Sequence, residues 1–372
     1  MLGFYHFAVL NATFPQKLFL YLLLKKQMIH DKILIVYIHY RGIGIYNCIY
    51  SNIFIHFRKR DFMKPALIIG STCVDIILNL DHLPVTAEDL HPHSQTMAIG
   101  GCAYNVSHIL RLTETEHTFI TPVGSGIYGD YVRKHFETNQ IPIHVSLPQA
   151  ENGCCYCFVE ADGERTFLSC HGAEYTFREE WMANFPSAGY GLTYVCGLEI
   201  EEPTGEQLIS YLEKHPDLQI FYAPGPRSVL IDAGRMQRMF ALHPILHINE
   251  QEALQLSGEN DFVSAATALR KCTGNTVIIT LGKQGTYCLE KNTKKEGVLI
   301  PSLHVTHITD TIGAGDAHAG ALIAALTLDI PLADAISYAN AVSAAVITVP
   351  GASLPPELLP PMPCPCNDLR NQ

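Results

Sequence analysis

Asp310-Thr311-Ile312-Gly313-Ala314-Gly315-Asp316 sets two glycines and a carboxylate at the start of a long run of Ala, Leu, Ile and Gly, residues 314–326. Residues 303–308 ahead of it are rich in β-branched side chains. The segment therefore reads as strand, glycine turn and buried helix. The first amides of such a helix have no intrahelical acceptor and point into the turn. With a helix dipole worth roughly half a charge, they favour an anion there. Gly313 and Gly315, lacking a Cβ, let that anion approach the backbone. A carboxylate beside an anion needs a separate purpose. Asp316 is suited to take the proton from a hydroxyl that attacks a phosphoryl group held by those amides. A plain N-cap aspartate is the alternative.

Further pieces carry related chemistry. Asp75 follows a buried strand in Gly70-Ser71-Thr72-Cys73-Val74-Asp75, as a turn residue or a ligand for hydroxyl groups. Gly100-Gly101-Cys102-Ala103-Tyr104-Asn105 opens a helix with apolar positions 103, 106, 109 and 110. Its diglycine admits a ligand to the amides, and Asn105 can donate to and accept from a polyol. Asn249-Glu250-Gln251-Glu252 puts two oxygen-bearing side chains three apart on one face of a helix start. That suits either a cap or a hydrated Mg2+ between phosphates. Residues 277–280 read as a strand ending in Leu281-Gly282-Lys283-Gln284-Gly285, where Lys283 is a phosphate clamp or a solvated turn lysine. No Gly-x-x-x-x-Gly-Lys-Ser/Thr is present, so that class of phosphate loop is unsupported. Gly124-Ser125-Gly126-Ile127-Tyr128-Gly129 spells a dinucleotide fingerprint, but it does not follow the first strand, and the acidic residue at the right distance, Glu151, lies in a turn-like stretch.

In order and spelling these pieces resemble the ribokinase (PfkB) family of sugar and nucleoside kinases, over residues 64–353. Asp310-Thr311-x-Gly313-Ala314-Gly315-Asp316 looks like its C-terminal signature, and Gly100-Gly101 with Asn105 like its N-terminal one. The resemblance implies Asp316 as general base, with Gly313, Ala314 and Gly315 as the anion hole. It implies Asp75, Gly100, Gly101 and Asn105 as acceptor-binding residues. Thr280, Gly282, Gly285, Asn249 and Asn340 become nucleotide contacts, and Asn249 and Glu252 organise Mg2+ through water. Carbonyls of the segment Asp310 to Ile312 and of the Gly351 turn hold a monovalent cation, K+, in some relatives. The implied reaction is transfer of the γ-phosphoryl group of ATP to a hydroxymethyl group of a small sugar. A nucleoside of the adenosine, inosine or pseudouridine type is the other acceptor class, and Tyr156, Phe158 and Phe167 could form a slot for its base. Ribokinases carry lysine where this chain has Cys102, which moves the expectation away from ribose itself; Gly126 stands where the family has aspartate. A non-catalytic sugar sensor on this fold would be expected to lose Asp316 or the glycines, and both are intact.

The elements that must position these groups follow an α/β pattern. Short apolar runs at 192–196, 219–222 and 245–248 are spaced by helical stretches, which gives a mainly parallel sheet covered on both faces. The resemblance names this a ribokinase-like, three-layer α/β/α, doubly wound fold with a small β-sheet lid. Asp162-Gly163 between alternating runs at 154–160 and 165–170 is a hairpin signal. With residues 93–99 it would make the lid, spanning about 91–99 and 153–171. In the family such strands exclude water from the sugar site and in some members form a homodimer interface. Residues 334–349 read as a second apolar helix containing Asn340, followed by Pro350-Gly351-Ala352.

The chain of 372 residues carries a net charge of −11, unevenly spread. Residues 1–62 hold eight Lys and Arg against Asp31 and Asp61, whereas the remainder holds 17 basic against 34 acidic residues. An acidic body argues against nucleic acid as a partner. The twelve cysteines show no zinc-site spacing; Cys154 and Cys157 lie in one apparent strand, so reduced thiols in a cytoplasmic protein are expected. Residues 1–62 read as a non-native extension ahead of Met63, a targeting or membrane-associating arm, or an integral element; none of their apolar runs makes a good span. The kinase-like domain is expected over 63–355, with no membrane contact, and a disordered tail over 356–372.

Overall fold

The computed structural model describes residues 34–40, 43–55, 64–161, 163–293 and 296–363. The chain divides into two units, Met1–Phe62 and Met63–Gln372. In the first, β1 (Leu34–Tyr40) pairs antiparallel with β2 (Ile43–Ile55), with several register shifts. The rest of that extension lies outside the described residues. No helix among the described residues is long and apolar enough to cross a membrane.

The second unit begins with β3 (Ala66–Ile69), β4 (Cys73–Asn79), β5 (Ser94–Gly100) and helix α1 (Cys102–Leu112). It continues through β6 (His117–Ile120), β7 (Pro122–Ser125), α2 (Gly126–Thr138), β8 (Val145–Glu151), β9 (Cys154–Val159) and β10 (Arg165–Cys170). Then β11 (Leu192–Cys196), α3 (Gly197–Glu201), α4 (Gly205–Lys214), β12 (Gln219–Ala223), α5 (Ala233–Ala241), β13 (Ile245–Asn249), α6 (Glu250–Ser257) and α7 (Phe262–Thr273) alternate. The chain closes with β14 (Val277–Thr280), β15 (Thr286–Leu289), β16 (Val298–Ile300), α8 (Ala314–Thr327) and α9 (Leu332–Val346).

Eight strands form the central sheet in the order β16-β15-β14-β13-β12-β11-β3-β6. Neighbours from β6 to β14 are parallel, and β15 and β16 add an antiparallel edge. The strands are apolar throughout because both faces are covered. Alternation sorts them: Ala66, Ile68, Tyr194 and Phe221 pack with α1, α8 and α9 on one face. Leu67, Ile69, Val195 and Tyr222 pack with α4, α5, α6 and α7 on the other. Each such side chain contributes about 1.5–3 kcal/mol of transfer free energy.

A second sheet, in the order β10-β9-β4-β5, stands apart from the first. Residues 70–72 carry the chain from β3 in the central sheet to β4 in the small one, and β5 returns it to α1. The junction therefore collects Asp75, the diglycine and the start of α1. The Gly-x-Gly-x-x-Gly segment is not a dinucleotide turn, since β7 pairs only with β8, in a separate two-stranded sheet.

Two sequence expectations are corrected. Residues 303–308 are not a strand: Leu303 and Ile308 are 59% and 58% exposed. Pro301 ends β16, which is already an edge, so no neighbour among the described residues pairs with the continuation. The tail expected to be disordered from 356 has a turn of 3-10 helix at Pro356–Leu358, and Leu359 and Met362 pack against the core. These apolar side chains gain enough burial to hold the backbone there. Residues 364–372 lie outside the described residues.

Candidate active site

Helices α1 and α8 pack almost backbone to backbone. A Cβ at Gly320 would stand 2.9 Å from the Val106 carbonyl oxygen and 2.9 Å from the Ile109 Cβ. One turn earlier on α8, this closeness sets Asn105 against Asp316: Asn105 Nδ2 donates to Asp316 Oδ2 at 2.8 Å. Asp316 is partly buried, and that burial pushes its carboxyl up to about 6. Hydrogen bonds from Asn105 and Cys102 pull it down, and the charges of Asp75 and Glu252 push it further up. A carboxylate so tuned is ionised at neutral pH yet more basic than a free one, as a general base should be.

Gly313 is the N-cap of α8, at φ 71° in the left-handed region. The first helical bond runs from the Ala317 amide to the Gly313 carbonyl at 2.8 Å. The Ala314 amide instead turns to the Thr311 carbonyl at 3.3 Å, so Ala314 gives less to an anion than its place in the motif suggests. The amides of Gly315 and Asp316 precede the helical ladder and are the ones left to an anion. A Cβ at Gly315 would meet nothing within 4 Å, so this side of the turn opens on space that a phosphate could fill.

Asp75 lies within β4, opposite Ala98 of β5, and not in a turn. Its carboxylate covers Gly100, where a Cβ would come within 2.0 Å of Asp75 Oδ2. Burial pushes this carboxyl up to about 6 as well. Gly101, at φ 100°, lies against the Ser71 carbonyl and ends the strand before α1. Glu199, at the start of the segment after β11, was missed by the sequence reading. Its Oε1 accepts from the Ser71 amide at 2.8 Å, and burial pushes its carboxyl up to about 7. Its place three residues past the buried strand β11 is a weak signal that does not name its partner. Ser71 Oγ, Asn105 Oδ1 and Glu199 Oε2 are buried without a hydrogen-bond partner. An unsatisfied buried group costs about 1–3 kcal/mol, and hydroxyl groups of a bound molecule would answer all three.

On the nucleotide side, Asn249 and Glu252 form a reciprocal capping box on α6. Glu252 N donates to Asn249 Oδ1 at 2.8 Å, Asn249 N to Glu252 Oε2 at 3.2 Å, and Asn249 Nδ2 to Glu252 Oε1 at 2.7 Å. Glu252 thus caps the helix, and its charge also acts on the Asp316 carboxyl. No group of three or more His, Cys, Asp or Glu among the described residues is placed to hold a metal. The side-chain oxygens of Asn249 and Glu252 are a donor set that would suit a hydrated Mg2+ bound to phosphates.

Thr280 ends β14, and Gly282, at φ 55°, has open space where a Cβ would be. Lys283 is exposed on the same turn. The other two expected nucleotide contacts sit in the interior. Gly285 is buried, and a Cβ there would strike the Ile300 carbonyl oxygen at 2.1 Å, so strand packing explains the glycine. Asn340 is also buried and already saturated: Oδ1 accepts from Thr286 Oγ1 at 2.7 Å, and Nδ2 donates to the Ile300 and Pro301 carbonyls at 3.1 and 3.2 Å. It belongs to a network that the sequence reading missed, in which Thr286 and Asn340 meet His318 of α8, and His318 meets His247 of β13 at 2.9 Å. Burial drives both imidazoles down, His318 to about 4, so both are neutral.

Asp310 is 8% exposed, and three protein donors hold its carboxylate. Oδ1 accepts from the Ile312 amide at 2.7 Å and from Arg165 of β10, and Oδ2 accepts from the Gly351 amide at 2.8 Å. The segments around Ile312 and Gly351, expected to share a monovalent cation through carbonyls, are thus joined by a carboxylate through their amides.

This constellation has relatives. The model of the pfkB family carbohydrate kinases matches residues 63–358. The uncharacterized sugar kinase YegV of Escherichia coli (strain K12) is 32% identical over 298 residues, which is 79% of this chain and 91% of that protein. The ribokinase of Staphylococcus aureus (strain COL) is 30% identical over 299 residues, 77% of this chain and 94% of that one. Among solved structures, the Arabidopsis thaliana ribokinase complexed with ribose and ATP superposes with a TM-score of 0.67 at 16% identity, covering 80% of this chain and 98% of that chain. Motif, fold and matched length agree, and the chain belongs to the pfkB family of carbohydrate kinases, ATP-dependent phosphotransferases with an alcohol group as acceptor.

Proposed function

We propose that this chain transfers the γ-phosphoryl group of ATP to a hydroxymethyl group of a small neutral sugar. The observation that carries the reading is the Asn105–Asp316 pair at the mouth of the α8 turn. Asp316 takes the proton of the acceptor hydroxyl as its oxygen bonds to phosphorus and the bridging oxygen leaves with ADP. The amides of Gly315 and Asp316 meet the charge on the transferred group. Mg2+ bound with the nucleotide would neutralise the phosphates, with Glu252 reaching it through water. Asp75, Gly101, Asn105 and Glu199 hold the acceptor, and Thr280 and Gly282 lie on the nucleotide side. The free thiols of the described cysteines and the need for ATP fit the cytoplasm.

Charge narrows the acceptor. Asp75, Glu199 and Asp316 face the junction, and none of them has a Lys or Arg partner among the described residues. Their carboxyls are pushed up because no cation offsets burial. A sugar acid or sugar phosphate would meet repulsion with no compensating donor, whereas the hydroxyls of a neutral polyol would satisfy these oxygens. Strand register bears on the three-ring slot expected for a nucleoside base. Tyr156 and Phe158 alternate with Cys155 and Cys157 on β9, and Phe167 pairs with Cys157. Phe167 therefore lies on the opposite face of the sheet from the other two rings, so the three cannot form one slot. The test is ADP release with Mg-ATP against neutral monosaccharides, sugar acids and nucleosides. Turnover is expected on the first panel; turnover confined to either of the others would overturn the assignment.

A further inference from the structure

We propose that Arg165 is a positioning residue that supplies, from the lid strand β10, the fixed positive charge for Asp310, so that the anion turn is organised by lid docking and not by a monovalent cation. The proposal rests on the kinase reading for its activity arm alone.

The face of the small sheet that carries Asp75 can be followed by register. Asp75 pairs with Cys155, Ile77 with Cys157, Asn79 with Val159, and Val159 with Arg165. Asp75 and Arg165 thus lie on one face of one sheet, across strands β4, β9 and β10. Asp75 serves the acceptor, while Arg165 reaches past it to Asp310, 145 residues further on. The pair is secluded, with side chains 16% and 10% exposed. A carboxylate so placed needs a counter-charge, and Arg165 is the ion-pair partner it has among the described residues. The same carboxylate holds the Ile312 and Gly351 amides, one on the approach to α8 and the other on the turn after α9. It does by hydrogen bonds what a cation would do through carbonyls. A K+ ion placed against this carboxylate would sit beside the guanidinium of Arg165, whose charge already offsets that of Asp310, so the residues present disfavour one there. Arg165 also immediately follows the hairpin turn, so lid opening withdraws its charge from the turn that holds the phosphoryl group.

The test compares wild type, Arg165→Gln and Arg165→Lys in choline chloride and in KCl, with guanidinium added as a third condition. Wild type is expected to turn over equally in choline and K+. Arg165→Gln should lose turnover, on the order of 10²-fold for a misplaced catalytic turn, mainly in kcat, and regain part of it with guanidinium or K+. Arg165→Lys should retain more than Arg165→Gln. A separate reading is amide hydrogen exchange at Ile312 and Gly351, which should quicken in Arg165→Gln without any acceptor present. A wild-type enzyme that needs K+, or an Arg165→Gln variant with unchanged exchange, would overturn the proposal. If no acceptor is turned over, the kinase reading fails and the exchange arm alone decides this one.

Discussion

Asp316 derives its reactivity from burial and from neighbours acting in opposite directions. Burial and the charges of Asp75 and Glu252 raise its carboxyl to about 6, and the Asn105 bond restrains that rise. The free enzyme should therefore show kcat/KM rising with pH through a limb near 6, as the base loses its proton. Replacing Asn105 by Ala removes the restraint, so the limb should move to higher pH; an unmoved limb in a pH–rate profile would show that another group titrates. Asn105, Asp75 and Asp316 were legible because each follows a glycine turn or a buried strand at short range. Glu199 and Arg165 were not. Their meaning depends on partners 128 and 145 residues away, Ser71 and Asp310, and no local pattern announces such pairings. Gly285 and Asn340 misled in the opposite sense, because a turn glycine and an apolar-helix asparagine look alike whether they face a ligand or the interior.

At the level of elements, the capping box on α6 joins stability to chemistry. Asn249→Ala removes the acceptor for the Glu252 amide and should lower stability by about 1 kcal/mol, the usual cost of a lost cap. Chemical denaturation would read that loss, and a change within error would show that α6 does not depend on its cap. The same variant releases Glu252, so turnover should fall further than stability does. The α/β alternation and the hairpin were visible in the sequence because burial on both faces and an Asp-Gly turn leave strong periodic signals. The run at 303–308 was misread because β-branched composition records propensity alone, whereas a strand also needs a free edge to pair with. Edge order is a tertiary fact, set here by β15 and β16.

Across the whole molecule, buried ionisable groups make stability depend on pH in two opposing ways. His318 has its folded value at about 4, below the ordinary 6.5 of an unfolded histidine. Between those values only the unfolded chain binds the proton, so this group makes stability rise with pH across that window. Glu199 does the reverse. Its folded value of about 7 lies above the ordinary 4.5, so its contribution is intact below 4.5 and is lost as pH rises through 7. Glu199→Gln should therefore gain stability relative to wild type as pH climbs from 4.5 to 7 and no more above that, at about 1.4 kcal/mol per unit of separation. Denaturation series at several pH values would read this, and a difference independent of pH would mean that Glu199 is ionised in the folded protein.

The most direct measurement of the account is turnover by Asp316→Asn beside its affinity for ATP and for whichever neutral sugar the wild type phosphorylates. Asparagine keeps the shape of the side chain and the contact with Asn105 but cannot take a proton. The account predicts near-native folding and binding with kcat reduced by roughly 10²–10⁴-fold, the usual contribution of a general base. A variant that retains most of its turnover would contradict it.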